Sequence, residues 1–418
     1  MSWGRQMDKE NGRTMVSDMG RAGEMVQTTL KKRMLLLILA MSTFGFGDTV
    51  LERKILSDSG GINCSNIMWV KMFLTQRSNK PFILINPEGI PYRLYTPNSA
   101  IAVKEEYGVY VGGYVRNDQL ILAFWNLGEN VVFYDIQKGF SPTMSVKMQR
   151  HEFNGVIADP QEDDKFYIPY GRNISPWWVR IIPAPDGSVC YAKPFLAEIK
   201  NDKILRDYEV EYEGKRAESY LIEDVTGDAE MIHFLGFRGG VQRNKVVMML
   251  YYAGYSTEKK KVVQSYNIFE KEIIGLNHFG LLSMACKKND VFIVFPWTAT
   301  PLGGSGGDIK KITSDIYYFQ YCSKIAGETV HIAKGFTPLV KLDSTSKVYI
   351  FYVDYAGNLI CKTKQGDTWG NDKTILVGVD IFPVKAYIAA EFDSEDNLHL
   401  VYPSKGSLIY EKRKLSEN

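Results

Sequence analysis

The strongest constraint in this sequence is a repeated unit near its C-terminus. The run Asp343-Ser-Thr-Ser-Lys-Val-Tyr-Ile-Phe-Tyr352 matches Asp393-Ser-Glu-Asp-Asn-Leu-His-Leu-Val-Tyr402 at an offset of 50 residues. Each copy is followed by a short turn and a second apolar segment, Gly357–Lys362 and Gly406–Glu411. Repeats of this length are typical of solenoids, propellers and arrays. The fold must therefore be built from similar units that stack on one another.

The unit itself indicates a β-sheet that needs covering on both sides. A polar turn leads into a strand of about six residues that is apolar on both faces, as in a strand buried between two layers. Radial stacking of four-stranded sheets buries both faces and leaves only short edges. Helical periodicity is nearly absent after residue 50, and Gly, Pro, Asn and Asp interrupt the chain. We therefore expect an all-β propeller rather than two sandwiches, because no Pro-, Gly- or Ser-rich linker divides the chain.

Looser copies of the unit extend toward the N-terminus, at Asp159–Tyr170, Lys287–Phe295, Tyr107–Tyr114 and Asn244–Tyr252. A propeller domain over residues 66–414 would hold six or seven blades at about 50 residues per blade. The last blade supplies only three strands of its own. We therefore expect an N-terminal strand to close the ring, with Ile67–Phe73 as the candidate.

The N-terminal region predicts export. The basic residues Lys31, Lys32 and Arg33 precede the apolar run Met34–Met41, and small residues follow. This order is typical of a signal peptide, and the run is too short for a comfortable membrane span. We assign residues 25–47 to a signal peptide cleaved near Gly47, and residues 1–24 to a polar tail or an over-extended start. An uncleaved signal anchor and a cytosolic protein with a buried apolar segment remain as alternatives.

Composition excludes several functional classes. The chain carries 50 Lys and Arg against 48 Asp and Glu, so it lacks the basic excess of a nucleic-acid binder. The five cysteines and five histidines fall at no metal-ligand spacing, and neither a metal nor a cofactor is predicted. No catalytic constellation is recognisable, so the sequence leaves open whether the protein is an enzyme. We expect a secreted or periplasmic monomer whose partner is a glycan or an extracellular protein.

One segment carries a family resemblance. Lys362-Thr-Lys-Gln-Gly-Asp-Thr-Trp369 resembles the Asp-box of sialidase-like (BNR-repeat) propellers, whose pattern is Ser-x-Asp-x-Gly-x-Thr-Trp. Gly366, Thr368 and Trp369 are in register, whereas Lys362 and Lys364 stand where the family has Ser and Asp. In that family the box is a structural turn between the outer strands of a blade. The resemblance therefore implies a scaffold more than an activity.

Aromatic residues beside two loops are the candidate ligand-binding residues. Trp177 and Trp178 lie close to Arg180, and Trp297 precedes the glycine-rich run Pro301–Asp308. Aromatic faces and a planar guanidinium suit stacking against a sugar and hydrogen bonding to it. The alternative interpretation is that these side chains pack between blades.

Three functions remain open at this point. The protein is expected to be a carbohydrate- or protein-binding module, a divergent glycoside hydrolase or lyase, or a structural envelope protein. Membership of the sialidase-like family would imply an arginine cluster, for which Val179–Pro183 and Pro91–Leu94 are the nearest strings. Arginines with two carboxylates, or a Tyr–Glu pair, at the channel mouth would favour the hydrolase. A channel mouth that lacks these groups and has exposed aromatic residues would favour the binding module.

Overall fold

A computed structural model describes the following residues: 48–56, 64–75, 77–87, 91–96, 99–126, 129–148, 152–153, 155–159, Glu162, 164–173, 192–209, 221–227, 230–242, 245–272, 278–279, 282–287, 289–299, 312–322, 325–381 and 388–416. The segments assigned to a polar tail and a signal peptide lie outside these residues. Within the described part of the chain, no helix is long and apolar enough to cross a membrane.

The secondary structure is almost entirely β. In chain order the strands are β1 Thr49–Ile55, β2 Ile67–Leu74, β3 Pro81–Pro87, β4 Arg93–Tyr95, β5 Ala100–Ala102, β6 Val109–Arg116, β7 Gln119–Trp125, β8 Asn130–Asp135, β9 Ser141–Lys147, β10 Glu152–Phe153, β11 Ile157–Ala158, β12 Lys165–Asn173, β13 Ala192–Lys200, β14 Lys203–Glu209, β15 Leu221–Gly227 and β16 Met231–Gln242. They continue with β17 Lys245–Ser256, β18 Lys261–Glu272, β19 His278–Phe279, β20 Ser283–Lys287, β21 Asp290–Ala299, β22 Thr313–Cys322, β23 Ile325–Ala326, β24 Val330–Lys334, β25 Phe336–Leu342, β26 Val348–Val353, β27 Leu359–Gln365, β28 Thr368–Trp369, β29 Lys373–Leu376, β30 Ala389–Phe392, β31 Asn397–Ser404 and β32 Ser407–Lys414. Two 3-10 turns, Cys64–Asn66 and Glu105–Tyr107, are the helical elements of the described residues.

These strands form seven antiparallel sheets, the blades of a propeller. Blades 1 to 6 are β2–β5, β6–β9, β10–β14, β15–β18, β19–β24 and β25–β29, and blade 7 combines β30, β31 and β32 with β1. The innermost strand of each blade contacts the next blade, and β30 contacts β2, so the ring closes around a central channel. The predicted all-β propeller is confirmed, with seven blades. All seven lie in one compact unit, Thr49–Leu415.

An N-terminal strand does close the ring, but the prediction that it is Ile67–Phe73 is wrong. The closing strand is β1, which pairs with β32 from Thr49 to Ile55 at the outer edge of blade 7. Its side chains are mostly exposed and include three consecutive charges, as suits an edge strand. Ile67–Leu74 is instead the innermost strand of blade 1, because its buried apolar side chains fit between blades 7 and 2.

Two of the looser repeat copies also lie at other positions within their blades than the C-terminal repeat predicts. The template strand is the second strand of a blade, as in Val348–Val353 and Asn397–Ser404. Tyr107–Tyr114 instead overlaps the first strand of blade 2, and Asn244–Tyr252 the third strand of blade 4. First and third strands here also bury apolar residues, so a short apolar run does not reveal its place within the blade.

A side-chain cap on the first turn explains the repeat between blades 6 and 7. One carboxylate oxygen of Asp343 accepts hydrogen bonds from the backbone N–H groups of Thr345 and Lys347, each at 2.9 Å. Asp393 caps its own turn in the same way. The other oxygen of each aspartate lies beside the side chain six residues later, Tyr349 at 3.2 Å and His399 at 3.1 Å. The repeated aspartate is therefore a structural residue.

The direction of the strands defines two faces of the ring. The first-to-second and third-to-fourth strand turns lie on one side, which we call the turn face. The second-to-third strand loops and the links between blades lie on the other side, which we call the loop face. Apolar clusters fill the space between neighbouring blades. The described cysteines are Cys64, Cys286, Cys322 and Cys361, and none of the four is bonded to another of them.

Candidate functional site

Charged side chains lie on the innermost strands of three non-neighbouring blades, which surround the central channel. Lys71 lies on β2 of blade 1, Asp224 on β15 of blade 4 and Lys341 on β25 of blade 6. Burial raises the pKa of the Asp224 carboxyl, and the charges of Lys71 and Lys341 offset part of that rise. Since blades 1, 4 and 6 are not adjacent, these charges act on one another across the channel. Glu391 of β30 joins the group through an ion pair with Lys341.

The same channel residues also join neighbouring blades. The two carboxylate oxygens of Asp224 accept hydrogen bonds from the backbone N–H groups of Val225 and Met284, both at 2.9 Å. Because Met284 lies on β20, the carboxylate bridges blades 4 and 5. The hydroxyl of Ser283 accepts a bond from the N–H of Val340 at 3.1 Å, which links blades 5 and 6. The channel is thus polar and held in place by its own side chains.

A strained residue lies at the loop-face end of the channel wall. Thr337 on β25 has a φ of 47°, a conformation that is a genuine outlier for a β-branched residue. Its side chain is buried, and its hydroxyl has no hydrogen-bond partner among the described residues. A strained backbone with an unsatisfied polar group is a frequent feature of binding sites.

The predicted ligand-binding residues Trp177, Trp178 and Arg180 lie outside the described residues. The chain leaves the described part after Asn173 at the end of β12 and returns at Ala192 on β13. The glycine-rich run occupies the equivalent position in blade 5, between β21 and β22.

Trp297 is described, and it is enclosed. Only 3% of its surface is exposed, and its ring lies 5.7 Å from that of Phe269 in the packing between blades 4 and 5. The ammonium group of Lys271 lies 5.7 Å from the centre of the indole. Trp297 therefore packs between blades, as the alternative interpretation of the sequence has it.

The Asp-box-like turn lies between β27 and β28, the third and fourth strands of blade 6. Gly366 has a φ of 56°, which favours glycine, and the Thr368 hydroxyl donates a 2.9 Å hydrogen bond to a carbonyl of the turn. Trp369 packs edge-on against Tyr318 of blade 5 at 4.9 Å. Lys364 stands at the position of the motif's aspartate, donates to the Gly366 carbonyl and lies over the indole. Each of these contacts is structural.

Blade 7 contains two groupings that look catalytic, neither of which the sequence indicated. Tyr402 donates a 2.7 Å hydrogen bond to Glu411, which also pairs with Arg413. His399 lies between Asp393 and the Tyr410 hydroxyl, at 3.1 and 2.9 Å.

Both groupings are structural rather than reactive. Burial raises the pKa of Tyr402, and the Glu411 carboxylate raises it further, whereas a nucleophilic tyrosine needs a lowered pKa. Burial also lowers the pKa of His399 despite the adjacent Asp393. Tyr402, Glu411 and His399 are each no more than 2% exposed, so a substrate would not reach them.

The described segments contain no candidate metal site. No three His, Cys, Asp or Glu side chains among these residues come together in a way that could hold a metal ion.

No protein-family model and no curated protein matches the chain. Among solved structures, Kuenenia stuttgartiensis hydrazine synthase aligns at 9% identity over 87% of this chain and 100% of that chain, with a TM-score of 0.49. Drosophila semaphorin 1b, extracellular domains 1-2, aligns at 10% identity over 87% of each chain, with a TM-score of 0.42. A Penicillium chrysogenum alpha-L-arabinanase complexed with arabinobiose aligns at 8% identity over 88% of this chain and 98% of that chain, with a TM-score of 0.44. At these scores none of the three proteins bears on what this chain does.

Proposed function

We propose that this protein is an exported β-propeller that binds a carbohydrate through polar side chains of its central channel. The observation that carries the proposal is that two ammonium groups and two carboxylates on innermost strands of blades 1, 4, 6 and 7 act on one another, through an ion pair and through their effect on the pKa of Asp224. Sugar hydroxyls both donate and accept hydrogen bonds, so lysines and carboxylates together can satisfy them. Hydrogen bonds to charged groups are also the stronger ones.

A protruding glycan fits this site better than a protein surface does. The charged groups sit inside a ring, whereas a stable protein interface needs roughly 1,200–2,000 Å² of buried surface. Small polar ligands prefer concave sites with a few placed polar groups. An extracellular protein therefore ranks second as the ligand.

Export remains part of the proposal. Cleavage near Gly47 would leave the closing strand whole, since β1 begins at Thr49. N-terminal sequencing of protein recovered outside the cytoplasm should find a start close to Asp48. A start at Met1 or Met25 in the mature protein would contradict a cleaved signal.

The binding proposal is tested by applying the purified full-length protein to a glycan array. We expect one class of glycan to bind, and the binding to weaken when Lys71 is replaced by Met. Lys260→Met, at the exposed hairpin tip of blade 4, is the matched control and should change nothing. An array with no bound glycan would overturn the proposal.

A glycoside hydrolase is the second candidate, and one observation favours it. Burial raises the pKa of Asp224, whereas Glu391 is ion-paired with Lys341. Two carboxyl groups in such different environments match a general acid and an ionised base or nucleophile. Hydrolysis of aryl glycosides that is lost in both Asp224→Asn and Glu391→Gln would establish this function. Binding without turnover would exclude it for the sugars tested.

A further inference from the structure

A cleft opens on the turn face between blades 2 and 3, away from the charged group in the channel. It encloses about 440 Å³, within the range of about 300–1,000 Å³ usual for small-ligand sites. Its floor is aromatic, and two hairpin turns form its polar rim. None of its lining residues takes part in the charged channel group described above.

The floor is a rigid apolar surface. The ring of Phe166 lies 5.3 Å from that of Phe133 and 5.2 Å from that of Tyr114. Both phenylalanines are buried, whereas Tyr114 is half-buried and faces the cleft. The guanidinium of Arg116 lies 5.9 Å from the centre of the Tyr114 ring and donates to two backbone carbonyls of blade 3. The tyrosine ring is therefore held in place for a ligand to stack on it.

The rim presents polar side chains from two matching turns. Asn117 and Asp118 connect β6 to β7, Asn201 and Asp202 connect β13 to β14, and all four have φ between 49° and 62°. Positive φ at both central residues is the mark of tight, rigid hairpin turns. The side chains of Asn117, Asn201 and Asp202 make no hydrogen bond with any described residue, although they line the cleft.

The charge of the cleft narrows the class of ligand. Three lining carboxylates, those of Asp135, Asp164 and Asp202, face two cations, Arg116 and Lys138. Lys138 lies 3.2 Å from Asp135 and so is largely neutralised by it. A slight negative excess disfavours an anionic ligand, whereas amide and carboxylate groups above an aromatic ring suit the hydroxyls and the apolar face of a pyranose.

We propose that this cleft is a second carbohydrate site, which takes a single neutral sugar residue on Tyr114 and holds its hydroxyls through Asn117, Asn201 and Asp202. The inference rests on the proposed carbohydrate-binding function and extends it to a separate place on the ring. A chain carrying both sites would hold a glycan at two points and gain avidity without new contacts.

The test uses methyl glycosides of glucose, galactose and mannose, with glucuronate as the anionic comparison. Binding to the full-length protein is followed by saturation-transfer NMR and by titration. The variant is Asn201→Gly combined with Asp202→Gly, because glycine keeps the positive φ of the turn and removes only the side chains. Lys260→Gly, at another turn residue of positive φ, is the matched control.

We expect at least one neutral glycoside to bind, glucuronate to bind more weakly, and the double variant to lose about tenfold in affinity. The control should bind like the parent protein. Binding that the double variant retains, or a preference for glucuronate, would overturn the inference. Binding that falls only in Lys71→Met would refute the cleft while leaving the channel proposal intact, and the reverse pattern would refute the channel and retain the cleft.

Discussion

Blade 7 and the central channel both contain enclosed charged groups, yet they differ in what those groups contact. In blade 7 the carboxylates of Asp393 and Glu411 are surrounded by lysine, histidine, tyrosine and arginine partners from the same blade. In the channel, the charge of Lys71 acts on the Asp224 carboxyl from a non-adjacent blade.

In a propeller, structural and functional polar groups differ in where their partners lie. A network whose buried carboxylates are paired within their own blade contributes to stability, since both carboxylates have partners and neither is accessible. The carboxyl of Asp224, which projects from an innermost strand, is retained at a cost in desolvation. Substitutions should therefore lower stability in blade 7 and lower binding in the channel.

The largest expected effect is on stability in blade 7. Glu411→Gln leaves the buried guanidinium of Arg413 without its counter-charge, and breaking such a pair costs about 3 kcal/mol or more. Chemical denaturation monitored by fluorescence should show this loss in the free energy of unfolding. Arg53→Ala is the control, because this exposed arginine lies 4.0 Å from the same carboxylate and should contribute less than about 1 kcal/mol. Equal losses in both variants would contradict the assignment.

A smaller loss, which depends on pH, is expected at Asp393. Burial raises the pKa of this carboxyl, but hydrogen bonds from Lys412, Asn397 and His399 outweigh burial and hold the pKa well below its usual range. A carboxyl whose pKa is lowered in the folded state stabilises the protein above the unfolded value of about 3.9. That stability is lost as the pH falls through the folded value.

Asp393→Asn should therefore cost about 2 kcal/mol at neutral pH. The difference from the parent protein should shrink between about pH 5 and pH 2. Unfolding curves measured across this range test the prediction. A difference that is constant with pH would show that the carboxylate charge is not what stabilises the turn.

The smallest effect on stability is expected in the channel. Lys71 is exposed to the channel solvent, so Lys71→Met should change the free energy of unfolding by no more than about 0.5 kcal/mol. The same denaturation experiment measures it. A loss as large as that of Glu411→Gln would place Lys71 among the structural residues and remove it from the candidate site.

The sequence predicted the architecture well and the site poorly, for physical reasons. The repeat in blades 6 and 7 is visible because Asp343 and Asp393 must cap identical turns. The closing strand Thr49–Ile55 was missed because an edge strand needs backbone pairing rather than apolar side chains, and so carries no hydrophobic pattern.

The channel group could not be predicted from the sequence. Lys71, Asp224 and Lys341 are far apart in the chain, and each looks like an ordinary strand residue. Only closure of the ring brings them together. The hairpin turns of the cleft are visible as Asn-Asp pairs, but their meeting depends on how blades 2 and 3 pack. Trp297 was a candidate because it is an aromatic residue beside a loop, but it lies in the core because it packs between blades 4 and 5.

The most direct test of the account compares Lys71→Met, Glu411→Gln and the parent protein in one glycan-binding titration, at a temperature where all three are folded. The account predicts that Lys71→Met weakens binding by about tenfold and that Glu411→Gln, although less stable, binds like the parent. Equal affinity in the parent protein and Lys71→Met would contradict the claim that the channel is where this propeller holds its ligand.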